Sequence, residues 1–236
     1  MSFQIARSWL SRGVKHGQRH DDLDDRDWRI FREDYEIVTK GSMRHPATGK
    51  LIRPFRYWKE SGLNDEILRA IAKAGYERPT GVQMQCIPLG LACKDVIGVA
   101  KTGSGKTLGF LVPGFLHIMR TGANPMAGPT ILVLAPTREL AMQIDVEAQK
   151  FGLPLGIQSV CCYGGAPKGQ QLGAMRRGCQ CIIGTPGRIN DFREGGQIQL
   201  HGVRYLVMDE ADRMPDVGFE PQIRKIVQGG IPPDRQ

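Results

Sequence analysis

Lys106 and Thr107 close the run Ala100-Lys101-Thr102-Gly103-Ser104-Gly105-Lys106-Thr107. These residue types at this spacing suit a phosphate chain. The glycines let the backbone turn its N–H groups toward an anion. A helix start at Lys106 adds partial positive charge. Lys106 can reach terminal phosphates, and the Thr107 hydroxyl can ligate Mg²⁺. Ala100 stands where such loops usually have their first glycine. A second reactive run, Asp209-Glu210-Ala211-Asp212, follows the apolar stretch 203–208. An acid at the C-terminal end of a strand in an open α/β sheet faces the ligand crevice. Asp209 is therefore expected to hold Mg²⁺ through water, and Glu210 to orient and deprotonate an attacking water. A solvated acidic turn is the plain alternative. The apolar strand before it and the phosphate loop upstream weigh against that.

These residues need a scaffold. Val96-Ile97-Gly98-Val99-Ala100 predicts a buried strand over 95–100, and residues 106–120 predict a helix, giving the strand–turn–helix context of a phosphate loop. Further strands are expected over 131–135, 158–163 and 179–184. Helices are expected over 63–74, 137–151 (stopped by Gly152) and 219–227. Continuous apolar strands alternating with helices predict an α/β fold, a mostly parallel sheet with helices on both faces. Upstream, residues 1–24 are polar and expected to be flexible. Residues 25–35 predict a helix with Trp28, Phe31 and Tyr35 on one face. Residues 40–50 form a turn-rich linker. The expected division is an N-terminal extension, 1–51, and a nucleotide-binding lobe, 52–236.

The formal net charge is +8 and the pI about 9.3, which favours a polyanionic partner without identifying it. No apolar run approaches the ~20 residues of a membrane span, so no membrane partner is expected. The six cysteines lack metal-site spacing and are expected to be reduced core residues.

With its other motifs in place, the chain resembles the DEAD-box family of RNA helicases over roughly residues 52–236. Asp209-Glu210-Ala211-Asp212 is the name motif. Ala135-Pro136-Thr137-Arg138-Glu139-Leu140-Ala141, Gly164-Gly165 and Thr185-Pro186-Gly187-Arg188 match its RNA motifs. Gly75-Tyr76-Glu77-Arg78-Pro79-Thr80, leading to Gln83, matches its adenine motif. The resemblance implies a RecA-like fold, ATP and Mg²⁺ as cofactors, and a single RNA strand gripped by its backbone. Pro136, Thr137, Arg138, Gly164, Gly165, Thr185, Pro186, Gly187 and Arg188 would contact RNA. Trp58, Arg78, Thr80, Gln83 and the loop from Lys101 to Thr107 would hold the nucleotide. Lys106, Asp209 and Glu210 would be catalytic, Thr107 and Asp209 would serve the metal, and Asp212 would couple to a second lobe. A Ser-Ala-Thr motif and that second lobe, both expected after such a segment, are absent from these 236 residues. The chain alone is therefore expected to be inactive.

Several residues admit plainer roles. Trp58 could be core packing, Thr137 and Thr185 could be helix caps, and Glu139 could complete a capping box. Where the family has Pro-Thr-Pro-Ile-Gln this chain has Pro79-Thr80-Gly81-Val82-Gln83, and Gly81 is expected to loosen the turn. Pro215 replaces a usually apolar residue without a physical reason we can give. Residues 25–35, with Thr39-Lys40-Gly41 and Arg53-Pro54 to Trp58, are similar to the spliceosomal branch of the family that acts at the 5′ splice site. That implies a nuclear location, a short RNA duplex as substrate and ribonucleoprotein partners. The rival classes are a non-hydrolysing RNA clamp or assembly protein, and another P-loop motor such as a DNA helicase.

Overall fold

Four apolar segments of four residues each form one parallel sheet. They are β1 (Ile131–Leu134), β2 (Ser159–Cys162), β3 (Cys181–Gly184) and β4 (Tyr205–Met208), in the order β2-β3-β1-β4. Ile131 lies opposite Cys181 on one side and Tyr205 on the other, so all four strands end at the same level. The structure is a computed structural model and describes residues 20–101, 103–216 and 218–236. Among these, the helices are α1 (Asp25–Asp34), α2 (Asp65–Lys73), α3 (Gly81–Leu91), α4 (Lys106–Thr121), α5 (Arg138–Gly152), α6 (Lys168–Arg176), α7 (Pro186–Glu194), α8 (Arg213–Asp216) and α9 (Glu220–Gln228).

Strand side chains alternate between faces. Ile131, Val133, Cys181 and Ile183 enter one core with Leu111, Phe115, Ile144 and Phe151 of α4 and α5. Leu132, Leu134 and Ile182 enter the opposite core with Ile189 and Phe192 of α7 and Ile226 of α9. Both faces are covered, which is why β1 and β3 are apolar at every position. The expected α/β architecture is present.

The expected strand at 95–100 is absent. Ile97 is 96% exposed and Val99 93% exposed. The segment rests instead beside α3, where Gly98 approaches Cys86 and Val82. Among the described residues, it is Gln236 that pairs along the outer edge of β4. The Leu206 N–H donates to the Gln236 carbonyl at 2.8 Å, and the Gln236 N–H donates to Arg204 at 2.9 Å. The Gln236 side chain also donates to the carbonyls of Gly90 and Lys94. An apolar run without a ladder partner does not become a strand. Gly152 likewise does not stop α5, which includes it. The chain reverses later, at Gly156, with φ +70°.

The expected flexible stretch falls mostly outside the described residues, and its last part is anchored. His20 Nε2 lies 3.1 Å from the Pro54 carbonyl, and Leu23 is buried. Asp24 caps α1 with a full capping box. Trp28 and Phe31 bury against Met84 of α3, while Tyr35 stays partly exposed. Cys162, Cys179 and Cys181 are buried, and burial pushes the Cys179 thiol up to about 11 and the partly buried Cys161 thiol up to about 12. Cys93 departs from the core expectation, because it is exposed on the turn after α3.

Phe115 is 1% exposed and joins α4, α5 and the sheet. Phe115→Ala should cost about 3–5 kcal/mol, measured by denaturant unfolding with an unchanged m-value.

Candidate functional site

The phosphate loop is built by its glycines. Gly103 and Gly105 have φ of +79° and +82°, and Gly105 is the left-handed cap of α4. The Ser104 N–H closes the turn on the Lys101 carbonyl at 3.1 Å. Lys106 and Thr107 are the first two residues of α4. First-turn N–H groups have no intrahelical partner and point outward from the helix end. The Ser104 Oγ is buried with no hydrogen-bond partner. That orphaned oxygen and the free helix start fit a bound phosphate chain. Thr102 lies outside the described residues.

Asp209 stands at the end of β4, pinned by its N–H to the Leu134 carbonyl at 3.0 Å. Burial pushes its carboxyl above the usual range, while the Lys106 ammonium pulls it back down. An ammonium and a carboxylate are the charges that a bound Mg²⁺–phosphate complex would need from the protein. Thr107 and Asp209 could supply hard oxygen ligands to such a metal. Glu210 is held in a left-handed conformation, φ +51°, and its N–H donates to Asp209 Oδ1 at 3.0 Å. Its Oε2 accepts from Arg213 Nη1 at 2.7 Å. Sequence reasoning missed Arg213. Its i, i+3 spacing from Glu210 was the available signal. Asp212 is exposed nearby and adds to the negative field on Asp209.

Gln83 is 0% exposed. Its Oε1 accepts from the Thr80 N–H at 2.9 Å, and its Nε2 donates to the Gly105 carbonyl at 3.0 Å. Gly81 does not loosen this turn, because it is the first residue of α3. Trp58 is 9% exposed and packs on Phe55 with ring centroids 5.7 Å apart, inside the main core. Arg78 lies over the Tyr57 ring at 5.5 Å.

The expected RNA residues occupy loops after β1, β2 and β3, all at one end of the sheet. Pro136 leads into Thr137, whose Oγ1 accepts from the Leu140 N–H and caps α5. Glu139 is the second helical residue, so it forms no capping box and pairs with Arg138 at 2.6 Å instead. Arg138 Nη1 is the neighbour of Gly165. Gly164 and Gly165 are exposed, with φ +79° at Gly165. The Thr185 side chain makes no cap bond to α7, and its N–H donates to the Cys162 carbonyl. Pro186 and Gly187 form the first turn of α7. Arg188 turns inward and is 7% exposed. It donates to the Ala166 carbonyl at 3.1 and 3.2 Å and to Gln171 Oε1 at 3.0 Å, so it braces the Gly164–Gly165 turn.

A parallel sheet with a phosphate loop and an acidic pair at its strand ends defines a RecA-like nucleotide-binding lobe. A family model described as DEAD/DEAH box helicase matches residues 80–236, and the chain belongs to that family. It is 53% identical over 213 residues to DEAD-box ATP-dependent RNA helicase 40 of Oryza sativa, covering 90% of this chain and 26% of that protein. It is 48% identical to the human probable ATP-dependent RNA helicase DDX23, covering 88% of this chain and 25% of that protein. The chain thus spans about a quarter of these relatives. Two solved structures are similar in fold. One is the RNA helicase Prp28 from Chaetomium thermophilum bound to ADP, with TM-score 0.81 and 42% identity, covering 93% of this chain and 51% of that chain. The other is the yeast DEAD-box splicing factor Prp28, with TM-score 0.80 and 35% identity, covering 90% and 49%.

Lysine cannot reproduce the fork of Arg188. Arg188→Lys should cost roughly 1.5–3 kcal/mol in denaturant unfolding and speed amide exchange around residues 163–167.

Proposed function

We propose that this chain is the ATP-binding lobe of an RNA-dependent ATPase and RNA helicase that opens short RNA duplexes during pre-mRNA splicing in the nucleus. The observation that carries the nucleotide half is the loop built by Gly103 and Gly105, which sets Lys106 and Thr107 at the start of α4 beside the buried, unpartnered Ser104 Oγ. In this reading the loop N–H groups, with Lys101, Thr102 and Ser104, cradle phosphates. Mg²⁺, when bound, would neutralise charge on the β- and γ-phosphates. Lys106 places a cation at the terminal phosphate, Thr107 and Asp209 orient the metal, and Glu210 takes the proton of the attacking water after leaving Arg213. Gln83 has the donor and acceptor needed to pair with an adenine edge, with Thr80 and Arg78 beside it. The helix starts at Thr137–Arg138 and Thr185–Pro186–Gly187, with Gly164 and Gly165, suit a backbone grip on one RNA strand that reads no sequence.

The splicing assignment rests on the relatives named above and on the extension. A second RecA-like lobe, reached through Asp212, would complete the enzyme, and ribonucleoprotein components would be its partners. The isolated lobe should show negligible RNA-stimulated ATPase activity.

Titration of the full chain with ADP and Mg²⁺ tests the site. Wild type should bind ADP more tightly than GDP. Lys106→Ala should weaken both, and Gln83→Ala should remove roughly 1–3 kcal/mol of the preference for adenine. Equal affinity of folded Lys106→Ala and wild type would sink the assignment.

Asp209 makes the site pH-dependent. Metal binding needs the carboxylate, and burial has raised the pH at which that carboxylate takes a proton. Mg²⁺–ADP affinity should therefore fall on acidification before the ordinary aspartate range is reached. Asp209→Asn should bind Mg²⁺–ADP weakly with a flatter pH profile between about pH 7 and 4.

A further inference from the structure

Gly81 has ordinary right-handed backbone, so conformation does not require glycine there. A neighbour does. A Cβ at position 81 would lie 2.7 Å from the Tyr35 carbonyl oxygen and 3.4 Å from Ile37 Cγ1. That oxygen is backbone and cannot swing away like the tip of a side chain. It is held by a doubly hydrogen-bonded helix end. The Ile37 N–H donates to Arg32 at 2.8 Å, and the Glu36 N–H donates to Glu33 at 3.2 Å, with Glu36 at φ +54°. Withdrawing the carbonyl would undo the end of α1.

The same extension grips α3 one turn along. Trp28 (1% exposed) and Phe31 (4%) bury against Met84, the residue after Gln83. Arg53 straps the extension, donating to the Leu23 carbonyl at 2.9 Å and lying over the Trp28 ring at 5.8 Å. Gln83 in turn donates to the Gly105 carbonyl, the cap of the phosphate-loop helix. A chain of direct contacts therefore runs from α1 through the first turn of α3 to the phosphate loop.

We propose that the N-terminal extension is a brace for the nucleotide site, with Gly81 as its seat. Docking of α1 fixes Thr80–Gln83, Gln83 fixes Gly105, and nucleotide affinity depends on whether the extension is docked. Gly81 is a positioning residue that accepts the extension by lacking a side chain. The consequence for affinity rests on the nucleotide reading above, whereas the brace itself does not.

The test uses the 236-residue chain with two independent ways of undocking, Gly81→Ala and Trp28→Ala/Phe31→Ala, plus the triple variant. Circular dichroism melts establish that each is folded. Amide exchange is measured without nucleotide, and ADP–Mg²⁺ affinity by calorimetry. Both routes should speed exchange at residues 80–84 and 105–109 and weaken ADP binding about fivefold, the lower end of typical coupling between sites. The triple variant should be no worse than either route alone, since both remove one shared contact. Phe31→Leu, which keeps an apolar side chain on Met84, should behave as wild type. Unchanged exchange at 105–109 in a folded Trp28→Ala/Phe31→Ala variant would overturn the brace, and so would additive losses in the triple variant. Faster exchange at 105–109 in a chain whose wild type binds no ADP would support the brace and refute the nucleotide reading.

Discussion

Two hydrogen bonds from one buried amide join parts of the chain that do not touch in sequence. The Gln83 oxygen takes the Thr80 N–H and its nitrogen gives to Gly105. The Gln83 side chain is fully buried, so loss of either partner leaves it a polar group whose desolvation costs roughly 1–3 kcal/mol. The amide thus sets where the start of α3 stands relative to the start of α4. Everything expected of the phosphate loop depends on that placement, because the helix start aims the N–H groups and carries Lys106 and Thr107 with it. If Gln83 reads a base as proposed, the arriving edge would replace bonds already made.

The acidic end of β4 adds a charge constraint. Asp209 is anchored to β1, its carboxyl pushed up by partial burial and drawn back down by the Lys106 charge. Glu210 is tied to Arg213 and carries a left-handed backbone, a conformation that a side chain bearing a Cβ adopts at some cost. The pair therefore divides its work by environment. One carboxylate is sensitive to the field of the loop, and the other is paired with a neighbour that would have to let go for the proposed proton transfer.

The strands at 131–134, 159–162, 181–184 and 205–208 were legible because short apolar runs bounded by turns have few other uses in a chain with alternating helices. The run at 95–100 looked the same and failed, since a strand is a property of a pair and this run joins no strand among the described residues. Helix α3 carries no amphipathic stripe: it is apolar nearly all round, contains Pro88, and buries Gln83 and Gln85. Only tertiary contacts make it recognisable. Helix α6 is polar and glycine-containing and gave no periodic signal. In the candidate site, residue types and order disclosed the phosphate loop and the acids. The inward turn of Arg188 and the grip of Arg213 were hidden, because both depend on partners that the spacing alone does not specify.

The exposed run at 95–100 also has a colloidal meaning. Ile97 and Val99 stand in solvent, and β4 is an edge strand of the parallel sheet. A bare edge next to bare apolar side chains is a template for another chain. Lys94, Asp95 and Lys101 flank the run with charge, the usual deterrent to such pairing. These three charged residues thus oppose association through a segment whose own side chains favour it.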